Sequence, residues 1–575
     1  VSAPAASLDP IAREVIRFGL LGATDQMKSV VLHTAYANLW KEAGDLSCAL
    51  LTAEGEVVAQ GGADIPIHLA TMPYSLAGLL EEIDPASLRP GDVMLQNDPY
   101  RGNNHLNDLF MVRPAFAEGR IVAYCAVRGH FIDVGGSAPG SYSTTGIDLY
   151  AEGLRIPPSL VYREGRENRD LVRLLEANVR NPVERLGDLR AQYAGCNAGA
   201  RRVEELAARH GADGLRAAMA SILDASEAIT RARIAALPDG RWSFEDHCDG
   251  DGVDDRPIAI AVSVEIAGSD VTVDLAGSSP QVRGGMNMPL AVTTSAALYA
   301  IKCLTDPENP ANSGSYRPVA VSAPEGSVVN ARFPGAVVGG NHETAARVAD
   351  AIFGALAPVV PDRIVAAGAG STGIVVFGSS DGEDPFILVE VHGAGQGAGL
   401  GADGGNAHRV NVANTANTPT EQLELSYPVH VERYAISDDG GGAGRWRGGC
   451  GIERRIRFER EGWLTVTAER ARRPPYGLFG GGPARPTEIV LTHPDGRVQA
   501  LPSKTPPILV APGSVLDIKC AGGGGYGPPR ERAAQALQRD LDDGYVSARA
   551  ARDLYGRALR RDERRADGAE VVDDG

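Results

Sequence analysis

Residues 109–130, LFMVRPAFAEGRIVAYCAVRGH, set two long apolar runs on either side of Glu118-Gly119, a pattern that commits this part of the chain to a β-hairpin. Pro114 interrupts the first run, and its missing N–H predicts an edge strand or a bulge. A hairpin joins residues that are far apart in sequence. Folding about Glu118-Gly119 sets Asp108 opposite Gly129 and Asn107 opposite His130, whereas a one-residue change in the turn sets Asp108 opposite His130. The pattern therefore predicts that His105, Asp108 and His130 gather at the open end, and leaves open which face they share.

That open end leads back into NDPYRGNNHLNDL, residues 97–109, which is too rich in Asn, Pro and Gly for a helix or an uninterrupted strand. It holds Asp98, His105 and Asp108 on a loop. LSCALLTAEGEVVAQ, residues 46–60, is a second hairpin whose turn at Glu54-Gly55 sets Asp45 opposite Asp64, near His68. Each hairpin thus presents carboxylate and imidazole at its open end. If the two ends meet, Asp45, His105, Asp108 and His130 form a mixed nitrogen and oxygen set suited to Zn²⁺, Mn²⁺ or Fe²⁺. For any one of these residues a turn cap or a satisfied histidine is the simpler explanation. The convergence of four on loops beyond rigid strands is what points to a site. Asp133 and Asp98 are candidates to orient the ligand imidazoles or to help move a proton. His68, Asp64 and Arg128 are candidates to stand behind the ligands or to touch substrate.

The rest of the chain reads as a mixed α+β protein: several β-rich units with a helical insertion, Gly-rich loops and a helical C-terminal tail. Its 70 Gly and 37 Pro among 575 residues imply many turns. Asp9 and Pro10 open a helical stretch that runs to Leu39 as two helices or as one bent near Gly22. These helices and the hairpins make a first unit, 1–165. A helical region follows at 166–238, with Arg and Glu on solvated faces, then a middle α/β unit at 239–362. A β-rich unit with Gly loops spans 363–530, and a helical tail, 531–575, ends in a charged stretch.

A net charge of −17 and a pI near 5.2 argue against a nucleic-acid or anionic-membrane partner. The seven Cys form no C-x-x-C pair and suit reduced thiols. No apolar run is long enough for a membrane span, and the N-terminus lacks the charged-then-apolar pattern of a signal peptide, so a cytoplasmic protein is expected. HGAGQGAGLGADGG, 392–405, imitates a dinucleotide fingerprint but runs into more glycine where a helix should open, so a mobile or tightly turned loop is expected there. The sequence holds no P-loop, and GGSAPGS, 135–141, lacks the Gly-x-Ser-x-Gly spacing of a nucleophile elbow. Asn341 and His342 precede a helix, where capping is the expected role.

Several stretches, in order along nearly the whole chain, resemble the hydantoinase B/oxoprolinase family. They are GDLSCALLTAEGEVVAQ, IPIHLATMP, GDVMLQNDPYRGNNHLNDL, GHFIDVGGSAPGS, DLYAEGLRIPP, GGNHETAARVADA, NTANTPTEQLELSYPVHVERY, GGAGRWRGGCGIER and GGGGYGPP. The resemblance implies a subunit that works in a hetero-oligomer with a hydantoinase A type partner, which binds ATP with Mg²⁺ and phosphorylates the substrate. It implies one divalent metal here, Zn, Mn or Fe, on Asp45, His105, Asp108 and His130. The implied reaction is ATP-dependent opening of a small cyclic amide such as a hydantoin, 5-oxoproline or a lactam. The same resemblance allows a ketone carboxylase subunit of the acetone or acetophenone type, and a non-catalytic scaffold is the third reading. One departure stands out: the family often reads His-Ile-Pro-x-His-Leu-Gly where this chain has DIPIHLA, with Asp64 in place of the first His.

Overall fold

The protein is described by a computed structural model that covers residues 9–380 and 384–561. The first seven strands form one antiparallel sheet in the order β2-β1-β5-β4-β3-β6-β7. They are β1 Leu46–Thr52, β2 Val57–Gln60, β3 Val93–Gln96, β4 Asp108–Ala117, β5 Arg120–His130, β6 Ser159–Arg163 and β7 Arg166–Glu167. Both faces are covered, which is why β1 is buried along its whole length. Cys48, Leu50, Met111, Cys125 and Val127 pack under the helices Pro10–Thr34 and Pro182–His210. Their alternates Ala49, Leu51, Phe110, Val112, Tyr124 and Ala126 pack under the helix Met72–Leu80. The first helix runs through Gly22 unbroken, with Asp9 accepting from the Ile11 N–H at 3.2 Å.

The long hairpin turns where expected, with Glu118 and Gly119 both at positive φ (52° and 75°). Its register then slips by one residue between Ala115 and Phe116, leaving Val122 unpaired opposite that step, just past Pro114. The slip converts the Asp108–Gly129 pairing into Asp108 opposite His130. β1 lies directly against β5, with Leu46 opposite Gly129 and the His130 N–H donating to the Asp45 carbonyl at 3.2 Å. The two hairpin ends therefore meet, and strand alternation puts Asp108, Arg128 and His130 on one face with Phe110 and Tyr124.

The helical region 166–238 shares its core with this sheet: Leu189, Cys196, Val203, Leu215 and Met219 join the same apolar cluster as Leu50 and Met111. A second unit places the four-stranded sheet of residues 240–248, 258–267, 270–274 and 319–322 against the helices Leu290–Thr305 and Ala345–Leu356. A third packs a four-stranded sheet around Ile374–Ser379 on a five-stranded sheet around Ile452–Phe458. The tail forms helices Ala534–Asp542 and Ala548–Asp553, and residues 562–575 of the charged stretch lie outside the described residues. No helix among the described residues is long and apolar enough to cross a membrane. All seven cysteines are free thiols.

The glycine-rich stretches are not loose loops. Segments around 395, 442–449, 482 and 522–527 lie backbone against backbone. Gly395 N–H donates to Ala521 O (3.0 Å), Gly449 N–H to Gln396 O (2.8 Å) and Gly442 N–H to Gly523 O (2.8 Å). A Cβ on Gly448 would lie 1.8 Å from the Gly523 carbonyl oxygen. This spacing admits no side chain, so of the mobile or tightly turned loop expected at 392–405 the structure shows the tight one.

Glu152 ties the first unit to the second. Its Oε1 accepts from the N–H groups of Val337 (2.7 Å) and Val338 (2.8 Å), and its Oε2 is buried with no partner among the described residues. Burial pushes this carboxyl up from 4.5 to about 8, against the pull of the two N–H donors. A raised carboxyl contributes stability that is full below the unfolded value near 4.5 and is lost as pH rises through about 8. Glu152→Gln keeps the acceptor and removes the charge. Melting temperatures between about pH 6 and about pH 9 should fall less steeply for the variant than for the wild type. Parallel curves would refute the burial argument.

Candidate metal centre

The loop before β4 is held by buried amides, which explains its wealth of asparagine. Asn97 Nδ2 donates to the carbonyls of Leu106 (2.7 Å) and Leu154 (2.9 Å), and Asn103 Nδ2 to that of Asp108 (2.6 Å). Asn107 Nδ2 donates to Phe131 O at 2.8 Å. Gly102 takes φ 83° where a Cβ would lie 2.4 Å from the Tyr74 backbone. A loop fixed at so many points can hold side chains to a set geometry without regular structure.

What it holds is a triangle. His105 Nε2, His130 Nδ1 and Asp108 Oδ1 stand 3.1, 3.1 and 3.3 Å apart, in a cluster that is 0% (His105, Asp108) and 6% (His130) exposed. These three residues form the group of metal-ligating side chains that meet within 4.8 Å among the described residues. Ligand distances of about 2.0–2.2 Å place neighbouring donor atoms roughly 3.0–3.5 Å apart, which matches the triangle. Two nitrogens and a carboxylate oxygen, with both Asp108 oxygens lacking a well-formed hydrogen bond, fit a divalent cation of the Zn, Mn or Fe class. His105 Nδ1 has no partner among the described residues, so nothing there fixes that ring from behind.

His68 does that service for Asp108. Its Nε2 lies 3.3 Å from Asp108 Oδ2, and its Nδ1 lies 3.2 Å from Ser47 Oγ, which in turn accepts from the Ile65 N–H. With the Ser47 hydroxyl donating to Nδ1, the proton sits on Nε2 and faces Asp108, leaving Oδ1 for the triangle. Burial lowers the His105 imidazole to about 4 against the pull of Asp108, so it is neutral and able to ligate near neutral pH. Burial acts the same way on His130, but its 3.3 Å contact with Asp108 Oδ1 and the charges of Asp45 and Asp108 outweigh it and raise the ring. Burial alone would raise the Asp108 carboxyl; His105 and His68 nonetheless hold it well below its ordinary range.

The other predicted site residues are distributed differently. Asp45 lines the cavity next to the triangle but lies outside the 4.8 Å group. Asp64, the residue that departs from the family pattern, is buried elsewhere: it pairs with Lys28 Nζ at 2.7 Å and accepts from the N–H groups of Cys48 (2.8 Å) and Gly61 (3.1 Å). It closes the first hairpin. Asp133 accepts from the N–H groups of Gly135, Gly140 and Arg180 and from Arg180 Nη1, so both its oxygens serve the loop after His130. Asp98 caps the turn at Tyr100 and lies 3.6 Å from Arg155. Arg128 is buried over Phe110 and donates to His68 O (2.8 Å) and Asn104 Oδ1 (2.8 Å), holding the loop and the His68 turn together.

Three residues that the sequence reading left out of the site complete the cavity: Tyr142, His342 and Arg409. Its lining comes from the first unit at 39–142, from Asn341 and His342 of the second, and from residues 372–415 of the third. Asn341 makes no helix cap but accepts from Asn104 Nδ2 at 3.1 Å. The chain enters its helix through a wide turn in which Ala345 N–H donates to Gly340 O, a device frequent at functional sites. That turn aims His342 at the cavity. Its Nδ1 lies 3.0 Å from Glu343 Oε1, and its Nε2 is buried with no partner among the described residues. Burial drives the Tyr142 phenol far above its ordinary value, so it stays protonated. The recoverable signal was the run Asn-His-Glu ahead of a helix, with three polar side chains where only one is needed to cap.

Known proteins resemble this chain along nearly its whole length. The profile of the hydantoinase B/oxoprolinase family matches residues 9–529. A protein named as a D-/L-hydantoinase subunit, from a Pseudomonas species (strain NS671), is 32% identical over 96% of this chain and 95% of its own. The crystal structure of the ATP-dependent caprolactamase from Pseudomonas jessenii superposes with a TM-score of 0.89 at 30% identity, over 99% of this chain and 98% of that one. A nucleotide-free acetone carboxylase shares the fold, with a TM-score of 0.90 at 20% identity over 96% of this chain and 80% of that one. The chain belongs to the hydantoinase B/oxoprolinase family.

Proposed function

We propose that this chain is the metal-binding, ring-opening subunit of an ATP-dependent cyclic amidohydrolase. The triangle of His105 Nε2, Asp108 Oδ1 and His130 Nδ1 carries the reading, because three buried donors at ligand-edge spacing are costly to keep together with no cation between them. The partner is a hydantoinase A type subunit that binds ATP and phosphorylates the amide oxygen. This division of labour is supported by the absence of a P-loop from this sequence and by relatives that are themselves called subunits. The substrate class is a hydantoin, 5-oxoproline or a lactam.

When bound, a divalent cation supplies a Lewis acid that makes water acidic near neutral pH. The protein does the rest. Asp108, oriented by His68, would hold the cation together with the neutral His105 and with His130. Asp45 adds negative charge to the cavity beside them. His342, oriented by Glu343, takes the proton of the attacking water at Nε2, in the arrangement of a carboxylate-steered imidazole base. Water adds to the activated amide carbon, and the ring C–N bond breaks as the nitrogen takes up that proton. The resulting acyl phosphate is hydrolysed to the open-chain acid and phosphate. Tyr142, protonated and buried, is a donor for the oxygen that gains charge.

His105→Ala and Asp108→Ala should each abolish metal retention, measured by elemental analysis, and ring-opened product, while ATP use by the co-purified partner persists. Normal turnover by either variant would sink the assignment. His342→Gln should keep its metal and lower kcat by about a hundredfold or more, with loss of the acidic limb of the pH–rate profile. A variant with full kcat and an unchanged profile would leave His342 without a catalytic part.

A further inference from the structure

The cavity wall contains one guanidinium, that of Arg409, with one terminal nitrogen partnered and the other not. Arg409 Nη2 donates to Thr372 Oγ1 at 3.1 Å, while Nη1 is buried and, among the described residues, has no partner. No carboxylate among the described residues lies within 4.0 Å of the guanidinium, although Asp45 and Glu343 act on it from farther off. Arg409 shares the cavity wall with His130, Tyr142 and His342. A planar guanidinium in a cavity wall, with one arm tied and the other without a partner among the described residues, is the form that receives a planar or tetrahedral oxyanion.

The backbone under Arg409 is built for that presentation. Ala407, Asn411 and Val412 all take left-handed conformations (φ 56°, 57° and 49°), which a β-branched valine adopts only when its surroundings impose it. The surroundings do so at three points. His408 N–H donates to Ala394 O (2.7 Å), Asn411 Nδ2 to Asp350 Oδ1 (2.6 Å), and Ile67 N–H to Val412 O (3.0 Å). Asp350 belongs to a buried ion network with Arg347 and Arg470, so the arch stands on rigid footing.

We infer that Arg409 is the oxyanion-binding residue of this cavity and holds the phosphoryl or carboxylate group of the ligand against the His105–Asp108–His130 cluster. The inference rests on the cavity being the ring-opening site. In that setting the anion is either the phosphoryl group carried by the activated amide and its acyl phosphate, or a carboxylate of the substrate itself.

The test titrates the full-length chain, its metal content fixed by elemental analysis, with inorganic phosphate and separately with acetate, by calorimetry. The wild type should bind at least one of them, Arg409→Gln should bind it about tenfold more weakly at unchanged metal content, and Arg409→Lys should fall between. Loss confined to phosphate identifies a phosphoryl site, and loss confined to acetate a carboxylate site. Equal affinity in all three proteins, or no binding of either anion by the wild type, overturns the inference. If the glutamine variant does not fold, the lysine variant decides: weaker binding at a retained melting temperature supports the inference, and undiminished binding overturns it. A wild-type chain that holds no metal and opens no ring, yet loses phosphate binding on Arg409→Gln, would remove the proposed function and leave the anion site standing. Metal-loaded Arg409→Gln with unchanged KM and kcat would do the reverse.

Discussion

A carboxylate with no access to water must be compensated by its surroundings, and in this protein that carboxylate is Asp108. It lies between three imidazoles, from His68, His105 and His130, and most of the first unit can be read as the means of bringing them there. His105 comes from the preceding loop, His130 from the far strand of the long hairpin and His68 from the short helix Pro66–Leu69. Each support is short and stiff. The asparagine-braced loop, the Arg128 clamp and the Ser47 contact to His68 are all buried, and each fixes a ring or a carbonyl next to the same carboxylate.

Much of this was legible in the sequence, and the reasons can be traced. The long hairpin was visible because two apolar runs bracket a turn dipeptide. The pairing of Asp108 with His130 was not, because it depends on a bulge at Val122 that shifts the register by one residue. Pro114 signalled a bulge without its direction. The meeting of the two hairpins required knowing that β1 lies against β5, a long-range choice that local pattern does not encode. Asp64 was misplaced for a related reason: extrapolating the short hairpin set it beside Asp45, whereas the chain leaves the ladder after Gln60 and Asp64 turns back to close the hairpin at Cys48.

The residues from outside the first unit were the least legible. His342 and Arg409 lie more than 200 positions from His130, on a turn and an arch whose shapes come from tertiary contacts. Asn341 and His342 look like helix-capping residues until the wide turn rotates them into the cavity. The glycine-rich segments left two readings open in the sequence, a mobile loop and a tight turn. Abundant glycine reads as freedom, yet here it permits backbones to lie closer than any side chain allows, and the result is one of the tightest parts of the molecule.

The cavity wall is drawn from three units while the triangle of His105, Asp108 and His130 comes from one. Chemistry and admission are therefore separately adjustable. Changes at wall positions such as Thr372, Val389 or Val391 can alter which molecules enter without disturbing the three groups of the triangle. A scaffold of this kind can diversify toward new substrates by remodelling its doorway and keeping its hearth.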